Sequence, residues 1–268
     1  VAYPNSGNAI DTGCNMKVVT YLINLDGSDQ RLASATAQLQ QQNWDFSRFS
    51  AYDGRGKPLT DFKNYDDSAA QKILGRSLIS SELGCYLSHY GCVKKFLETD
   101  ADYLVVLEDD IQVMLNFKQN LDALLSYLHE HKELDWYVVN IAAKKKKLAK
   151  DIIQLNDYQL WHAYYFPIRG VGLVWSRQGA QEFIQLGENI QMPVDIFFQR
   201  WLSKNGKGLG IWQPFVQPAG FDSDILGTVA SQGIKRKDLE KRGASHGIKK
   251  QKRMWQDKWY AIKHMMSK

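Results

Sequence analysis

Cysteine is scarce in this chain: three among 268 residues, Cys14, Cys85 and Cys92. Three thiols build no disulfide framework and match no zinc-ligand spacing, so a reducing compartment fits best. No apolar run approaches the ~20 residues that crossing a membrane requires. No secretory leader is legible either, because Val1-Ala2-Tyr3-Pro4-Asn5 has neither a basic start nor an apolar centre. Residues 1–16 carry little pattern and read as a leader, with Met16-Lys17 as a natural start. Repeats and low-complexity tracts are missing too, which leaves a globular chain. What is present supports a well-filled core: 44% hydrophobic residues, 12% aromatic residues and eight Trp. Charge is uneven. Residues 235–268 hold twelve Lys and Arg against Asp238, Glu240 and Asp257, a net of +9, so the preceding residues carry −4 of the chain's +5. A mildly acidic body with a basic tail points to a polyanionic partner.

The body alternates strand and helix patterns. Lys17 to Leu25 predicts a buried strand, and Ser28 or Asp29 caps a helix with Leu32, Ala35 and Leu39 on one face. Phe46 to Ala51 predicts a second strand, and Arg55 to Asp67 a long surface loop. Leu83, Leu87, Tyr90, Val93 and Leu97 mark a helix over about 81–98, followed by the strand Tyr103-Leu104-Val105-Val106-Leu107. Leu121 to Leu128 mark another helix and Trp136 to Ile141 another strand. This alternation implies an α/β fold with a mostly parallel central sheet and helices on both faces. Beyond Lys144-Lys145-Lys146-Lys147, a run read as a solvated loop tip, strands are expected at Tyr158–Phe166 and Gly172–Trp175. Ser176 caps a helix, and Pro193 opens another. One domain over 17–234 is expected, with a donor half at about 17–143 and an acceptor half at about 144–234, before a basic tail at 235–268.

Chemistry concentrates at Glu108-Asp109-Asp110, directly after the third strand. Open α/β sheets place ligand crevices at such strand ends. Adjacent carboxylates repel unless a cation, or a partner bringing one, neutralises them. The same run also reads as a solvated acidic turn capping the next helix, and by itself it does not decide between the two.

Several strings occur in order: Val19 to Leu25 with Arg31 behind it, Ala51-Tyr52-Asp53-Gly54, Ser81-Glu82-Leu83-Gly84-Cys85-Tyr86-Leu87-Ser88-His89, Leu107-Glu108-Asp109-Asp110 and Pro193-Val194-Asp195. Together they resemble glycosyltransferase family 25, which holds bacterial lipooligosaccharide galactosyltransferases and collagen galactosyltransferases. The resemblance runs from about Lys17 to Ile225. It implies a GT-A type nucleotide-diphospho-sugar transferase fold, a divalent metal (Mn²⁺, with Mg²⁺ as the alternative), UDP-galactose as donor and inversion to a β-linked product. Asp110 is the first choice as metal ligand, with Glu108 beside it; Asp109 either ligates metal or bonds the ribose. Inversion needs a base on the face opposite the leaving group. Asp195 is the first candidate, although a first-turn carboxylate also complements a helix dipole. Asp222 and Asp224 are the alternatives. Asn24 and Leu25 close the first strand where uracil and ribose sit in such folds, and Arg31 is within reach of a phosphate. Asp53 and Gly54 border the nucleotide, with Ser88 and His89 near the donor; each also has a bland reading, as turn or core. Glu82 reads as a helix-start carboxylate capped by Ser80 or Ser81, or as a site residue.

In the tail, Trp255, Trp259, Ile262 and Met266 fall four, three and four apart, with lysines around them. This C-terminal basic amphipathic helix either lies on anionic lipid or docks on the body. No nucleic-acid motif accompanies the charge. The expectation is a UDP-sugar-dependent hexosyltransferase acting on a lipooligosaccharide core acceptor, peripheral on the cytoplasmic face of a bacterial inner membrane. UDP-glucose as donor, a two-carboxylate glycoside hydrolase and a non-enzymatic membrane-binding adaptor are the competing readings. The collagen-modifying branch is disfavoured by the unseen leader and by an ending, Met265-Met266-Ser267-Lys268, that is no retention signal.

Overall fold

The computed structural model describes residues 10–11, 16–220 and 245–267. Its central element is a nine-stranded sheet in the order β1-β2-β4-β9-β6-β10-β8-β7, with β3 also paired to β2. The strands are β1 (Ile10–Asp11), β2 (Lys17–Asn24), β3 (Ser47–Ser50), β4 (Tyr103–Glu108), β6 (Val138–Asn140), β7 (Ala149–Leu155), β8 (Tyr158–Ala163), β9 (Gly172–Ser176) and β10 (Gly208–Trp212). A separate two-stranded ribbon joins β5 (Ile111–Val113) to β11 (Val216–Pro218).

Strands β3, β2, β4, β6, β10 and β7 run one way, as the alternating pattern predicted. The sheet is nonetheless mixed, because the reversed β9 is wedged between β4 and β6. That wedge positions the site: Leu107 pairs with Gly172, so the segment entering β9 reaches the rim where β4 ends. Glu108 N–H donates to Val171 O at 3.0 Å across this junction.

Buried strands sort their side chains by the two-residue period. Val18, Leu22, Val105, Leu107 and Val174 enter one core, covered by α1 (Asp29–Gln41) and α4 (Phe117–Glu130). Val19, Tyr21, Ile23, Leu104, Val106, Leu173 and Trp175 enter the other, covered by α2 (Asp67–Leu74), α3 (Ser80–Leu97), α5 (Arg177–Leu186) and α6 (Val194–Asn205). Phe183, Phe198 and Trp201 pack around Trp175 in that layer, with ring centroids 5.2–6.2 Å apart.

Three elements depart from expectation. The loop predicted to Asp67 leads straight into α2, with Asp66 Oδ1 accepting from Ala69 N–H at 2.9 Å and Gly75 ending the helix at φ 74°. Strand β7 begins two residues past the lysine run, where no strand was read. Pro193 stands just outside α6, which starts at Val194.

The tail helix α7 (His246–Ser267) docks on α6 and α2 through its polar face. Arg253, Asp257 and Ala261 are its buried residues. Arg200 Nη1 lies 3.5 Å from Asp257 Oδ1, Ala261 joins Tyr164 and Tyr165, and His246 and His264 reach Leu74 O and Lys204 O at 2.7 and 2.8 Å. The stripe read from the sequence faces outward: Trp255, Trp259 and Met266 are 69%, 59% and 81% exposed.

Candidate active site

The ends of β2, β3 and β4 converge at one rim because β2 pairs in parallel with both neighbours, Asn24 opposite Ser50 and Ile23 opposite Glu108. The turn after β4 carries Asp109 and Asp110, and α1, starting five residues after β2, brings Arg31 over them.

Asp109 is buried, 5% exposed, and its charge is answered within the protein. Asn24 Nδ2 donates to Asp109 Oδ2 at 2.6 Å, and Arg31 Nη2 lies 2.6 Å from Oδ1. The amide of Asn24 is oriented by a residue the sequence did not flag: Arg48 Nε donates to Asn24 Oδ1 at 2.8 Å. Arg48 itself pairs with Asp26.

Asp110 is treated differently. Arg31 is 3.6 Å from its Oδ2, too far for a hydrogen bond, and its buried Oδ1 has no hydrogen-bond partner among the described residues. Burial, then the Glu108 charge, push its carboxyl up to about 6 against the partial relief from Arg31. Glu108 Oε1 sits 3.1 Å from His89 Nε2. Sγ of Cys85, one turn before His89 on α3, forms a three-residue group with them, the ligand atoms within 4.8 Å of one another. Burial and these nearby carboxylates push the Cys85 thiol well up, so it stays protonated. The three-residue group offers one sulfur, one nitrogen and one oxygen, whereas the hard oxygens suited to Mn²⁺ or Mg²⁺ come from the carboxylates Glu108 and Asp110, and the buried Asp110 Oδ1 accepts from nothing among the described residues.

A cavity lined by Arg31, Tyr52, Asp53, Gly54, Cys85 and the three rim carboxylates opens here, with Leu25, Ser88 and His89 also in its wall. Its far wall is the loop after β3, held against α3 by missing side chains. A Cβ on Gly84 would meet Tyr52 O at 2.5 Å, and one on Gly54 would collide with Ser80 O. Ser88 reinforces the contact, accepting from Tyr52 N–H at 2.9 Å and donating to Gly84 O at 2.8 Å. Asp53 is held below the usual carboxylate range, chiefly by hydrogen bonds from Arg55.

Glu82 lies in the wall of the next cavity, and its carboxylate caps α3. Arg76 grips it twice, at 2.7 and 2.8 Å, and Ile79 N–H donates to it at 3.1 Å. Arg76, six residues upstream in a loop, gave no sequence signal.

That second cavity adjoins the first, sharing Cys85 and Glu108, and is lined further by Arg169, Gly170, Pro193 and Asp195. Asp195 sits in the first turn of α6, its Oδ1 accepting from Ile196 N–H at 2.7 Å. Asp222 and Asp224 lie outside the described residues.

Comparison with known proteins follows the same residues. A model of glycosyltransferase family 25 (LPS biosynthesis protein) matches residues 17–198. Human procollagen galactosyltransferase 2 is 26% identical over 202 residues, 69% of this chain and 30% of that protein. A cattle (Bos taurus) protein called probable inactive glycosyltransferase 25 family member 3 is 34% identical over 129 residues, 45% of this chain and 22% of its own length. The chain thus spans less than a third of these relatives. Among solved structures, a glycosyltransferase involved in the glycosylation of the major capsid of PBCV-1 is similar over 81% of this chain and 99% of its own, with 7% identity and a TM-score of 0.40.

Proposed function

The chain belongs to glycosyltransferase family 25, and from that premise we propose that it transfers a hexose, galactose from UDP-galactose, onto a lipooligosaccharide core with inversion to a β linkage. The observation that carries this reading is the pair of adjoining cavities meeting at Glu108 and Cys85, one with the acidic cluster and one with Asp195.

Asp110, with Glu108 beside it, would hold Mn²⁺ or Mg²⁺. When bound, such an ion neutralises charge developing on the diphosphate leaving group. The chain's own residues do the rest. Arg31 adds a fixed cation at the same rim, its guanidinium held by Asp109, which Asn24 orients in turn. The Asp53–Gly54 loop borders the nucleotide. His89 orients Glu108, its imidazole buried against Phe198. Asp195 takes the acceptor hydroxyl proton from the far side of the transferred sugar, the face from which inversion requires attack.

The membrane belongs to the same reading. Helix α7 presents Trp255, Trp259, Ile262 and Met266 outward, and Lys258 on one side with Lys252 and Lys263 on the other flank that stripe. An apolar stripe between cations suits an anionic lipid face and supports the reading of a peripheral protein on the cytoplasmic side of the inner membrane, where a lipooligosaccharide acceptor would be anchored.

Because a relative carries the word inactive in its name, the first assay reads turnover itself. Purified protein is given UDP-, GDP- and CMP-sugars with and without Mn²⁺, and nucleotide release is scored. UDP-galactose is expected to give the highest metal-dependent release, lost in Asp195→Asn when acceptor is present. Preference for a GDP- or CMP-sugar would sink the donor assignment.

A further inference from the structure

The run Lys144–Lys147 was read as a solvated tip, and its lysines are indeed exposed. They are not idle surface. Lys144, Lys145 and Lys147 wall a third cavity together with Arg169, over a floor that includes Tyr165 and Ile168. Arg169 and Ile168 also line the Asp195 cavity, so three cavities adjoin in series from the carboxylate rim through Asp195 to the lysines.

Among the described residues, four cations line this last cavity and no carboxylate does. Lys146 is engaged elsewhere, with Asp151. Among the described residues no carboxylate pairs with Lys144, Lys145 or Lys147. The two walls are pinned together by one buried amide: Asn140 Nδ2 donates to Arg169 O at 2.5 Å, while its Oδ1 accepts from Ala142 N–H at 3.0 Å. The lysine loop and the arginine segment are therefore held in register before any ligand arrives.

We propose that this cavity binds an anionic substituent, phosphate or carboxylate, on the acceptor saccharide. The inference rests on the reading of the Asp195 cavity as the acceptor site. This cavity shares no lining residue with the one at the carboxylate rim, where the donor's diphosphate is read, so the anion it suits is a different one. Clustered, unpaired cations attract an anion at long range and hold it with charge-assisted hydrogen bonds. Three exposed lysines acting together correspond to roughly a tenfold change in affinity at moderate salt, and less at high salt.

The test uses the full chain, wild type and the combined variant Lys144→Gln, Lys145→Gln, Lys147→Gln. The probe is lipooligosaccharide core oligosaccharide in three forms: untreated, dephosphorylated and carboxyl-reduced. Kd is measured by calorimetry, KM and kcat by transfer, and donor hydrolysis without acceptor is followed in parallel. On the wild type, removing the recognised anion is expected to raise Kd and KM about tenfold at unchanged kcat, and the form that weakens identifies the anion. The variant is expected to bind all three forms alike and to hydrolyse donor at the wild-type rate. Equal Kd for all forms on the wild type, a preference surviving in the variant, or no binding of any form overturns the proposal. Failure of the transferase reading looks different: no nucleotide release from any donor, with the lysine-dependent difference in Kd intact.

Discussion

Replacing Asp110 by Asn is expected to stabilise the metal-free protein, and only above a definite pH. In the folded chain its carboxyl is pushed from 3.8 up to about 6, first by burial and then by Glu108. A folded-state value above the unfolded one means the native state holds the proton more tightly. The associated stability is complete below about 4 and is lost as pH climbs to about 6. Roughly two units correspond to at most about 3 kcal/mol by pH 7. Asn, neutral and nearly isosteric, removes that cost. Its side chain is 21% exposed, so solvent screens part of the effect. A gain of about 1–3 kcal/mol is expected, or several degrees in Tm for a chain of this size. Thermal unfolding in EDTA at pH 4 and pH 7.5 measures it: the variant melts higher at pH 7.5, and the gap closes at pH 4. Adding Mn²⁺ at a hundred times its Kd restores about 2.7 kcal/mol to the wild type and nothing to the variant. A variant less stable than wild type at pH 7.5 in EDTA would refute the buried-charge argument, and one stabilised equally by Mn²⁺ would refute the ligand assignment.

Three further outcomes are expected. Arg76→Met strands the buried carboxylate of Glu82 and costs about 3–5 kcal/mol in urea unfolding, most of it recovered when Glu82→Leu is added. Gly84→Ala places a methyl 2.5 Å from Tyr52 O, so the loop bordering the first cavity must retreat. Stability then falls by about 1–3 kcal/mol and UDP affinity drops with it, read by denaturation and calorimetry. The double change Trp255→Ser, Trp259→Ser leaves Tm unchanged within about a degree, because both rings are solvent-exposed, but abolishes co-sedimentation with anionic vesicles.

The strands around the site were legible because a strand buried on both faces is apolar at nearly every position: Leu104 to Leu107 throughout, and Val18 to Ile23 except at Thr20, whose Oγ1 accepts from Trp44 Nε1 at 3.0 Å. Helix α2 was missed because only Ala70 and Leu74 of its eight residues are buried, although Asp66 and Gly75 carried its start and stop signals. The tail's periodicity was visible, but which face docks was not. Arg253 and Asp257 are buried where Arg200 lies against Asp257, a pairing between distant segments. Long-range partners also explain what was missed at the rim. Nothing local marks Arg48 as the residue orienting Asn24, and nothing in a run of four lysines reveals the Tyr165–Arg169 wall opposite it.

The bond from Asn24 to Asp109 joins residues 85 apart in sequence. Closing a loop of that length costs about 4 kcal/mol beyond the fixed part, and the cost falls before any contact inside the site rewards it. The parallel pairing of β2 with β4 is the step that closes it. A collapsed intermediate with its helices formed but this pairing unmade would therefore contain every rim residue and no rim. In refolding, nucleotide binding will appear with the slow, topology-limited phase rather than with the burst of helix formation.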